Sequence, residues 1–93
     1  MGVRVDQLLQ WLCLAKSRSL AARACREGHV LVNGERVRPS REPREGERLT
    51  LIDPVRGRHR ELELLCLPER QASRKAAPEH YRWVGEGEDG ARA

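Results

Sequence analysis

The dipeptide Asn33-Gly34 limits the fold of this 93-residue chain more than any other short stretch. Asparagine and glycine both accept the positive φ angles that a two-residue hairpin turn requires. Residues 29–32 before the turn are mostly apolar and β-branched, and together with residues 35–38 after it they predict two strands. The sequence therefore predicts a tight antiparallel hairpin.

A short helix is predicted immediately before this hairpin. Either Ser17 or Ser19 can cap its N-terminus by accepting a hydrogen bond from a backbone N–H, and the helix then covers residues 20–27. Gly28 ends it in the left-handed conformation. Helical spacing separates a packing side from a basic side that points into solvent. The packing side holds Leu20, Ala21, Ala24 and Cys25, and the basic side holds Arg23 and Arg26.

The rest of the chain supplies one more helix and two more strands. Apolar residues at helical spacing predict a first helix over residues 5–15, with Asp6 near the N-terminal end, where the helix dipole favours an anion. Apolar and alternating patterns predict strands over residues 48–52 and 60–66, which we expect to pair. The expected fold class is α+β, with two helices packed on a small, mostly antiparallel sheet.

The chain is expected to form one small domain followed by a tail. The domain covers residues 3–66, and the tail covers residues 67–93, where charged residues dominate and apolar residues are few. Within this extended or disordered tail, a short helical turn is expected at residues 73–77, and disorder is expected over residues 85–93.

Only three aromatic side chains are available, since phenylalanine is absent. Trp11 lies off the centre of the apolar stripe of the first helix, so it either covers the edge of the core or stacks on a partner. Tyr81 and Trp83 can each contact the domain or a partner. The core must therefore be built mainly from Leu, Val, Ala and Cys.

Positive charge is concentrated in the front part of the chain. Residues 1–60 carry 13 Lys and Arg against 7 Asp and Glu, a formal charge of +6, whereas residues 61–93 carry 5 against 7, a charge of −2. Arginine supplies 16 of the 18 cations, and its planar guanidinium suits contacts with phosphates and bases. A GC-rich genome would also raise the arginine content, so composition alone leaves both explanations open.

The sequence contains no recognisable motif for a metal site, a disulfide framework or a catalytic centre. Cys13, Cys25 and Cys66 lie far apart and are expected to be buried free thiols in a reducing compartment. The glutamates within residues 35–47 alternate with arginines, which indicates a solvated face rather than a paired-carboxylate site. We expect a cytoplasmic, non-catalytic protein without a cofactor, membrane contact or small-molecule substrate.

Four blocks of sequence occur in the order and spacing of a known family. They are Arg4-Val5-Asp6-Gln7-Leu8-Leu9, Lys16-Ser17-Arg18-Ser19-Leu20-Ala21, Gly28-His29-Val30-Leu31-Val32-Asn33-Gly34 and Pro39-Ser40. Over residues 3–52 the chain thus resembles the S4-type RNA-binding domain, also called the alpha-L motif. Trp11 and the tail residues 70–77, with Tyr81 beyond them, make it most similar to the small bacterial proteins of the heat-shock-fifteen and RqcP type.

This resemblance implies binding to structured RNA, in particular to ribosomal RNA of the large subunit. It also implies contact with tRNA or peptidyl-tRNA on a stalled large subunit, during rescue or quality control of nascent chains. Such recognition depends on RNA shape and backbone more than on base sequence. The residues that the resemblance implies as phosphate contacts are Arg4, Lys16, Arg18, Arg23, Arg26, Arg36, Arg38 and Arg41. Hydrogen bonds to phosphate or ribose would come from Ser17, Asn33 and Ser40. Asp6 would orient an arginine.

Three classes of function are compatible with the sequence. The first is a ribosome-associated RNA-binding factor, expected to be monomeric. The second is a stand-alone module related to those fused to RNA-modifying enzymes such as pseudouridine synthases. The third is an interaction domain whose arginines only keep it soluble. Because phosphate contacts release counterions, the salt dependence of RNA binding separates the first class from the third.

Overall fold

The chain forms two α-helices, a 3-10 helix and a five-stranded sheet within residues 2–88. The computed structural model describes the backbone of these residues and the side chains of residues 2–86. The helices are α1 (Val5–Trp11) and α2 (Arg18–Arg26), and the 3-10 helix is Ala77–His80. The strands are β1 (Val30–Val32), β2 (Glu35–Arg36), β3 (Arg48–Asp53), β4 (Arg58–Leu64) and β5 (Tyr81–Glu88).

The strands form one sheet in the order β2-β1-β3-β4-β5, and every neighbouring pair is antiparallel. The predicted pairing of the strands after the hairpin is confirmed, with Leu49 of β3 opposite Leu62 of β4. The predicted fold class is also confirmed, because two helices pack on an antiparallel sheet. Sequential strands usually lie side by side, and here only β2 departs from chain order, because β3 pairs with β1.

The core lies between the two helices and one face of the sheet. Val30, Leu49 and Leu62, from three adjacent strands, are each at most 2% exposed, and they belong to one buried cluster with Leu8 of α1. Aliphatic side chains and Cys25 make up this cluster apart from Tyr81 of β5. The predicted core composition is thus nearly right, with one aromatic residue added from the end of the chain.

The helix α1 is shorter than predicted, because the chain turns left-handed at Cys13. The predicted range of residues 5–15 is wrong beyond Trp11, where the helix ends. Cys13 has φ +60°, and the next residue, Leu14, donates its N–H to the Leu9 carbonyl at 2.9 Å. This bond spans five residues and is typical of a Schellman cap, in which glycine is the usual left-handed residue. Hydrophobic periodicity gave no signal for a cap that uses cysteine.

The helix α2 is capped at both ends by residues that the sequence predicts. Ser17 is the N-cap, and its hydroxyl accepts a hydrogen bond from the Leu20 N–H at 3.1 Å. At the other end Gly28 has φ +82°, and the His29 N–H donates to the Ala24 carbonyl at 2.8 Å. These caps satisfy backbone groups that a short helix would otherwise leave exposed.

One residue of the predicted packing side of α2 lies elsewhere. Ala21 and Cys25 are buried, as expected, whereas Leu20 is 51% exposed. Leu20 lies at the rim of an apolar hollow instead of in the core. Arg23 and Arg26 are exposed, so the predicted basic side of the helix is confirmed.

The predicted hairpin turn is present between β1 and β2. Asn33 and Gly34 have φ angles of +52° and +83°, the left-handed pair that a two-residue turn of this type requires. The strand β2 is shorter than the predicted range of residues 35–38 and ends at Arg36. The chain then leaves the sheet and returns to the start of α1.

Gly28→Ala should destabilise the fold more than Gly34→Ala. Both glycines have a positive φ, so an alanine costs about 1 kcal/mol at either position. At Gly28 a Cβ would also lie 2.9 Å from the Nε of Arg36, whereas at Gly34 no atom lies within 4 Å. In urea unfolding we expect a loss of about 2 kcal/mol for Gly28→Ala, and equal losses would show that Arg36 does not rest on Gly28.

The prediction of disorder is wrong for residues 85–88, which belong to the strand β5. The sequence predicts disorder there, but β5 continues to Glu88 and pairs with the whole of β4. Tyr81 lies opposite Leu64 and is 9% exposed, so this side chain completes the core. Glycine and glutamate favour no strand by themselves, and the pairing with β4 supplies the stability that local propensity lacks. Residues 89–93 of the predicted disordered end lie outside the described residues.

The connection between β4 and β5 contains the predicted short turn. The Ala77 N–H donates to the Ser73 carbonyl at 2.8 Å, and the Ser73 hydroxyl accepts from the Ala76 N–H at 3.1 Å. This connection also passes the end of α1, where the Ala72 N–H donates to the Trp11 carbonyl at 3.1 Å. Trp11 itself is half-buried, in keeping with a position at the core edge.

The three cysteines are free thiols in different environments. Cys25 is buried in the core, and its burial raises the pKa of the thiol to about 11, which keeps it protonated and unreactive. Cys66 is partly buried, with its Sγ 3.2 Å from Nδ1 of His80. Cys13 is exposed, so the prediction of buried thiols is wrong at this position, where the residue serves the left-handed turn after α1.

Candidate nucleic-acid interface

A positively charged surface forms where α1, α2, β2 and the loop after β2 meet. Two backbone hydrogen bonds fix this loop to the start of α1. The Val5 N–H donates to the Arg41 carbonyl at 2.7 Å, and the Asp6 N–H donates to the Pro39 carbonyl at 3.3 Å. We call this region the arginine surface; it consists of Arg4, Asp6, Arg18, Arg26, Arg36, Arg38, Ser40 and Arg41.

Asp6 holds two arginines of this surface in place. Asp6 is 2% exposed, and its Oδ2 lies 3.1 Å from Nη2 of Arg4 and 3.4 Å from Nε of Arg18. The other carboxylate oxygen accepts hydrogen bonds from Nε of Arg4 at 3.3 Å and from the Gln7 N–H at 2.7 Å. Both arginine side chains remain 44% exposed. This geometry agrees with the expectation that Asp6 orients arginine, and it joins the starts of both helices.

Arg36 connects β2 to the end of α2. Its Nη2 donates to the Arg26 carbonyl at 3.1 Å, which places a cation at the C-terminal end of a helix, where the dipole favours it. The same contact lies directly over Gly28. Arg26 and Arg38 are exposed, and within residues 2–86 neither has an acidic group within 4 Å. Their charge is therefore available to an anionic partner.

Glu47 ties the loop after β2 to the hairpin turn. Its carboxylate accepts two parallel hydrogen bonds from Arg41, at 3.0 and 2.8 Å, and one from the Asn33 side-chain amide at 3.0 Å. It also accepts a hydrogen bond from the Arg44 N–H at 2.7 Å, while the side-chain Oδ1 of Asn33 accepts one from the Arg48 N–H at 3.0 Å. Because of this network, Glu47 is not part of the solvated face that the sequence predicts for residues 35–47.

Acidification should weaken the fold through Glu47. Hydrogen bonding by Arg41, aided by the Arg44 N–H, holds the pKa of this carboxyl at about 2, below its ordinary value of 4.5. A depressed folded-state pKa stabilises the protein above pH 4.5, and that stability is lost as the pH falls towards 2. We expect a loss of about 1–2 kcal/mol in this window, because water partly screens the pair. Urea unfolding of the Glu47→Gln variant should show a smaller pH dependence and lower stability at pH 7, and an unchanged pH profile would contradict the role of Glu47.

The loop and hairpin enclose an open groove of about 410 Å³ within the arginine surface. Arg36, Arg38, Ser40 and Arg41 lie along it, with Val32 and Val37 as apolar parts of its wall. Hydroxyl and guanidinium groups donate hydrogen bonds, so the lining offers donors to a phosphate or a ribose hydroxyl. Glu35 also lines the groove, so one carboxylate lies beside these donors.

Three of the predicted contacts lie at the margin of this surface. Arg23 is on the outer side of α2, where its Nε pairs with Glu27 at 3.2 Å. Lys16 is exposed and lines an apolar hollow next to Leu20, away from the groove of the hairpin. Ser17 uses its hydroxyl oxygen to cap α2, which leaves the hydroxyl hydrogen for another acceptor. The structure therefore brings most, but not all, of the predicted residues together.

Sequence reasoning missed two features of the charged surfaces. The sequence pattern predicts a solvated Glu47, although its position three residues after Arg44 allows it to accept a hydrogen bond from that residue's N–H. The second is the pair formed by Arg60 and Trp83, whose side chains meet across β4 and β5. No local pattern links Arg60 to Trp83, because the contact depends on the strand that the sequence did not predict.

Within residues 2–88 the structure offers no metal centre, since no group of three or more His, Cys, Asp or Glu residues could hold an ion. No helix in the described part of the chain is long and apolar enough to cross a membrane. The candidate site is therefore defined by its cations and hydrogen-bond donors.

The front part of the chain matches a known protein family, and the fold matches solved structures. A family model for the S4 domain matches residues 3–49, which contain the whole arginine surface. The trimeric structure of Vibrio cholerae Heat Shock Protein 15 is 26% identical, with a TM-score of 0.82 and coverage of 90% of this chain and 83% of that chain. The solution structure of hypothetical protein HP1423 is 27% identical in sequence, with a TM-score of 0.74. The match covers 89% of this chain and 98% of that chain. Among curated protein sequences there is no significant match. The chain belongs to the S4 domain family.

Proposed function

We propose that the chain binds structured RNA through the arginine surface. The observation that carries the proposal is a set of exposed cations on two helices, a strand and a loop, two of which the buried Asp6 carboxylate holds in place. Fixed guanidinium groups favour binding, because less side-chain freedom is lost when they meet phosphates. Membership of the S4 family and the likeness to Heat Shock Protein 15 support this function.

The residues of the surface have different proposed tasks. Arg26 and Arg38 contact phosphates directly, since they have no acidic partner within residues 2–86. Arg4 and Arg18 contact phosphates in an orientation that Asp6 sets. Arg41 donates two hydrogen bonds to the Glu47 carboxylate, and its proposed task is to hold the loop after β2 in place. Asn33 mainly supports the hairpin turn. Hydrogen bonds to phosphate or ribose come from the hydroxyls of Ser17 and Ser40. The positive potential is extended by Lys16, Arg23 and Arg36.

This arrangement favours recognition of RNA shape. Most of the available donors are guanidinium groups, which bind phosphate oxygens in pairs. Trp11 is half-buried, and within the described residues the arginine surface contains no aromatic ring on which a base could stack. Contacts of this kind follow the backbone of a folded RNA and depend little on its sequence.

The proposed client is ribosomal RNA of the large subunit, together with tRNA or peptidyl-tRNA on a stalled subunit. The support for this client is the similarity of Trp11 and the tail residues 70–77 to the heat-shock-fifteen type and the structural likeness to Heat Shock Protein 15. The proposed role is rescue or quality control of stalled nascent chains. The expectation of a monomer stays a prediction, since the Vibrio cholerae neighbour is trimeric in its structure.

Gradient sedimentation of tagged protein from gently lysed cells, combined with crosslinking, tests the client. We expect co-migration with free large subunits and crosslinks to ribosomal RNA and tRNA. Substitution of Arg26 and Arg38 by glutamate should remove the protein from these fractions. Absence of the unmodified protein from every ribosomal fraction at low salt would contradict the proposed client, and binding of purified protein to an RNA stem-loop would then show whether RNA binding itself survives.

A further inference from the structure

A second concave surface lies along β3, β4 and β5, next to the turn between β3 and β4. It is a groove of about 380 Å³, which we call the Trp83 groove; its lining includes Leu14, Leu51, Ile52, Arg56, Arg60 and Trp83. Most of these residues follow residue 49, so they lie outside the segment that matches the S4 family model. Its function is therefore not explained by the arginine surface.

Trp83 and Arg60 form a stacked pair in this groove. The guanidinium carbon of Arg60 lies 3.5 Å from the centroid of the Trp83 ring, and Tyr81 meets the same ring edge-on at 5.4 Å. Trp83 is nevertheless 36% exposed, and the Arg60 side chain is 50% exposed. A planar cation on an indole presents a flat, partly open surface that suits the π-face of a nucleobase.

An irregularity in β5 produces this arrangement. Trp83 is paired with Leu62 and Gly85 with Glu61, so Val84 is an extra residue that forms a bulge. In a regular strand Trp83 and Glu86 would lie on opposite faces, because side chains alternate. The bulge brings both into the Trp83 groove, where Glu86 lies 3.6 Å from Arg60. Bulges often redirect side chains next to functional sites.

The groove combines arginine side chains with an apolar floor. Arg56, Arg58 and Arg60 line it together with two acidic residues, and Arg56 pairs with Asp53 at 3.9 Å while Arg60 pairs with Glu86 at 3.6 Å. Its floor of leucine and isoleucine continues into an adjoining hollow of about 230 Å³. Lys16 lies along that hollow, so the two hollows form a path from the start of α2 to Trp83.

We propose that the Trp83 groove binds an unpaired nucleotide of an RNA strand. The base stacks against the Trp83–Arg60 pair, and the phosphate lies near Arg56 and Arg58. The argument for this occupant is the partly exposed stacking plane of an indole and a guanidinium, bordered by Arg56 and Arg58, which an apolar peptide would not use. The inference rests on the proposed RNA-binding function but assigns it a separate site. The protein would thus bind folded RNA on the arginine surface and the single-stranded flank of the same RNA in the Trp83 groove.

The two tryptophans of the chain provide a direct test in the unmodified protein. Their indole N–H signals can be assigned in NMR spectra with a Trp83→Phe variant. Addition of hexaadenylate, a short single strand, should shift the Trp83 signal and leave the Trp11 signal nearly unchanged. A Trp83 signal that stays in place at saturating hexaadenylate would overturn the proposal, whereas continued binding of an RNA stem-loop would show that the proposed function stands.

Affinity measurements with variants test the stacking itself. Trp83→Leu should weaken hexaadenylate binding at least about fivefold, and Trp83→Phe should restore most of it, since a flat ring carries the effect. Arg82→Ala is the matched control, because Arg82 is the neighbouring residue in β5 and pairs with Glu63 at 2.7 Å, outside the groove. The assignment would be contradicted if Trp83→Leu and the control bound hexaadenylate equally well. It would also be contradicted if an uncharged leucine-rich peptide bound more tightly than hexaadenylate. Thermal unfolding confirms that each variant is folded.

Discussion

Asp6→Ala should lower the affinity for structured RNA about tenfold and the free energy of unfolding by about 2 kcal/mol. The stability falls because a buried carboxylate that accepts hydrogen bonds from Arg4 and from the Gln7 N–H is lost. The RNA affinity falls because Arg4 and Arg18 lose the group that fixes them, and ordering two long side chains then opposes binding. Urea unfolding and fluorescence anisotropy with a labelled ribosomal stem-loop measure the two effects.

The sign of the affinity change makes this prediction specific. Removing a carboxylate raises the net charge by one, and charge alone would strengthen binding to an anionic RNA. Glu69→Ala makes the same change of charge at an exposed position in the connection before β5 and should alter the affinity less than about twofold. If Asp6→Ala bound RNA more tightly than the unmodified protein, Asp6 would be only a repelling charge.

Replacing Arg26 and Arg38 together by glutamate should reduce RNA affinity by at least about 50-fold at low salt. Both side chains are exposed, and neither has an acidic partner within residues 2–86, so stability should change by less than about 1 kcal/mol. The RNA would lose two cations that bind its phosphates and would meet two carboxylates that repel them. Filter binding at several salt concentrations should therefore give a slope that is flatter by about 2.

A matched double variant separates local contact from total charge. Arg70→Glu with Arg74→Glu makes the same change of net charge on exposed residues of the connection between β4 and β5. Its affinity should fall only a few-fold, since screening limits the effect of charges that lie outside the contact. Equal losses for the two double variants would contradict a defined interface on the arginine surface.

Much of the fold could be predicted because local signals agree with the tertiary structure. Asn33 and Gly34 determine the hairpin, Ser17 and Gly28 mark the ends of α2, and alternation gives the central strands. The gathering of cations at one surface could also be expected, because a helix, a turn and a strand follow one another within a short stretch. These signals are local, and local signals are visible in sequence.

The remaining features depend on contacts between distant residues. Cys13 ends α1 in a left-handed cap, and the sequence has no glycine at this position to predict the cap. The end of the chain, around Gly85, becomes a strand only because β4 offers an edge to pair with. Glu47 differs from neighbouring glutamates because Arg41 and Asn33 reach it from other segments. Such contacts have no period or motif, so sequence reasoning could not find them.

The central claim is that the arginine surface binds RNA through phosphate contacts, and the salt dependence of that binding tests it most directly. With about six phosphates neutralised, log affinity for a ribosomal stem-loop should fall with log salt at a slope of roughly −4 to −5. Arg18→Ala should weaken binding and flatten the slope by about 1, with little change in melting temperature, because Arg4 still pairs with Asp6. A flat salt response in the unmodified protein would contradict the account.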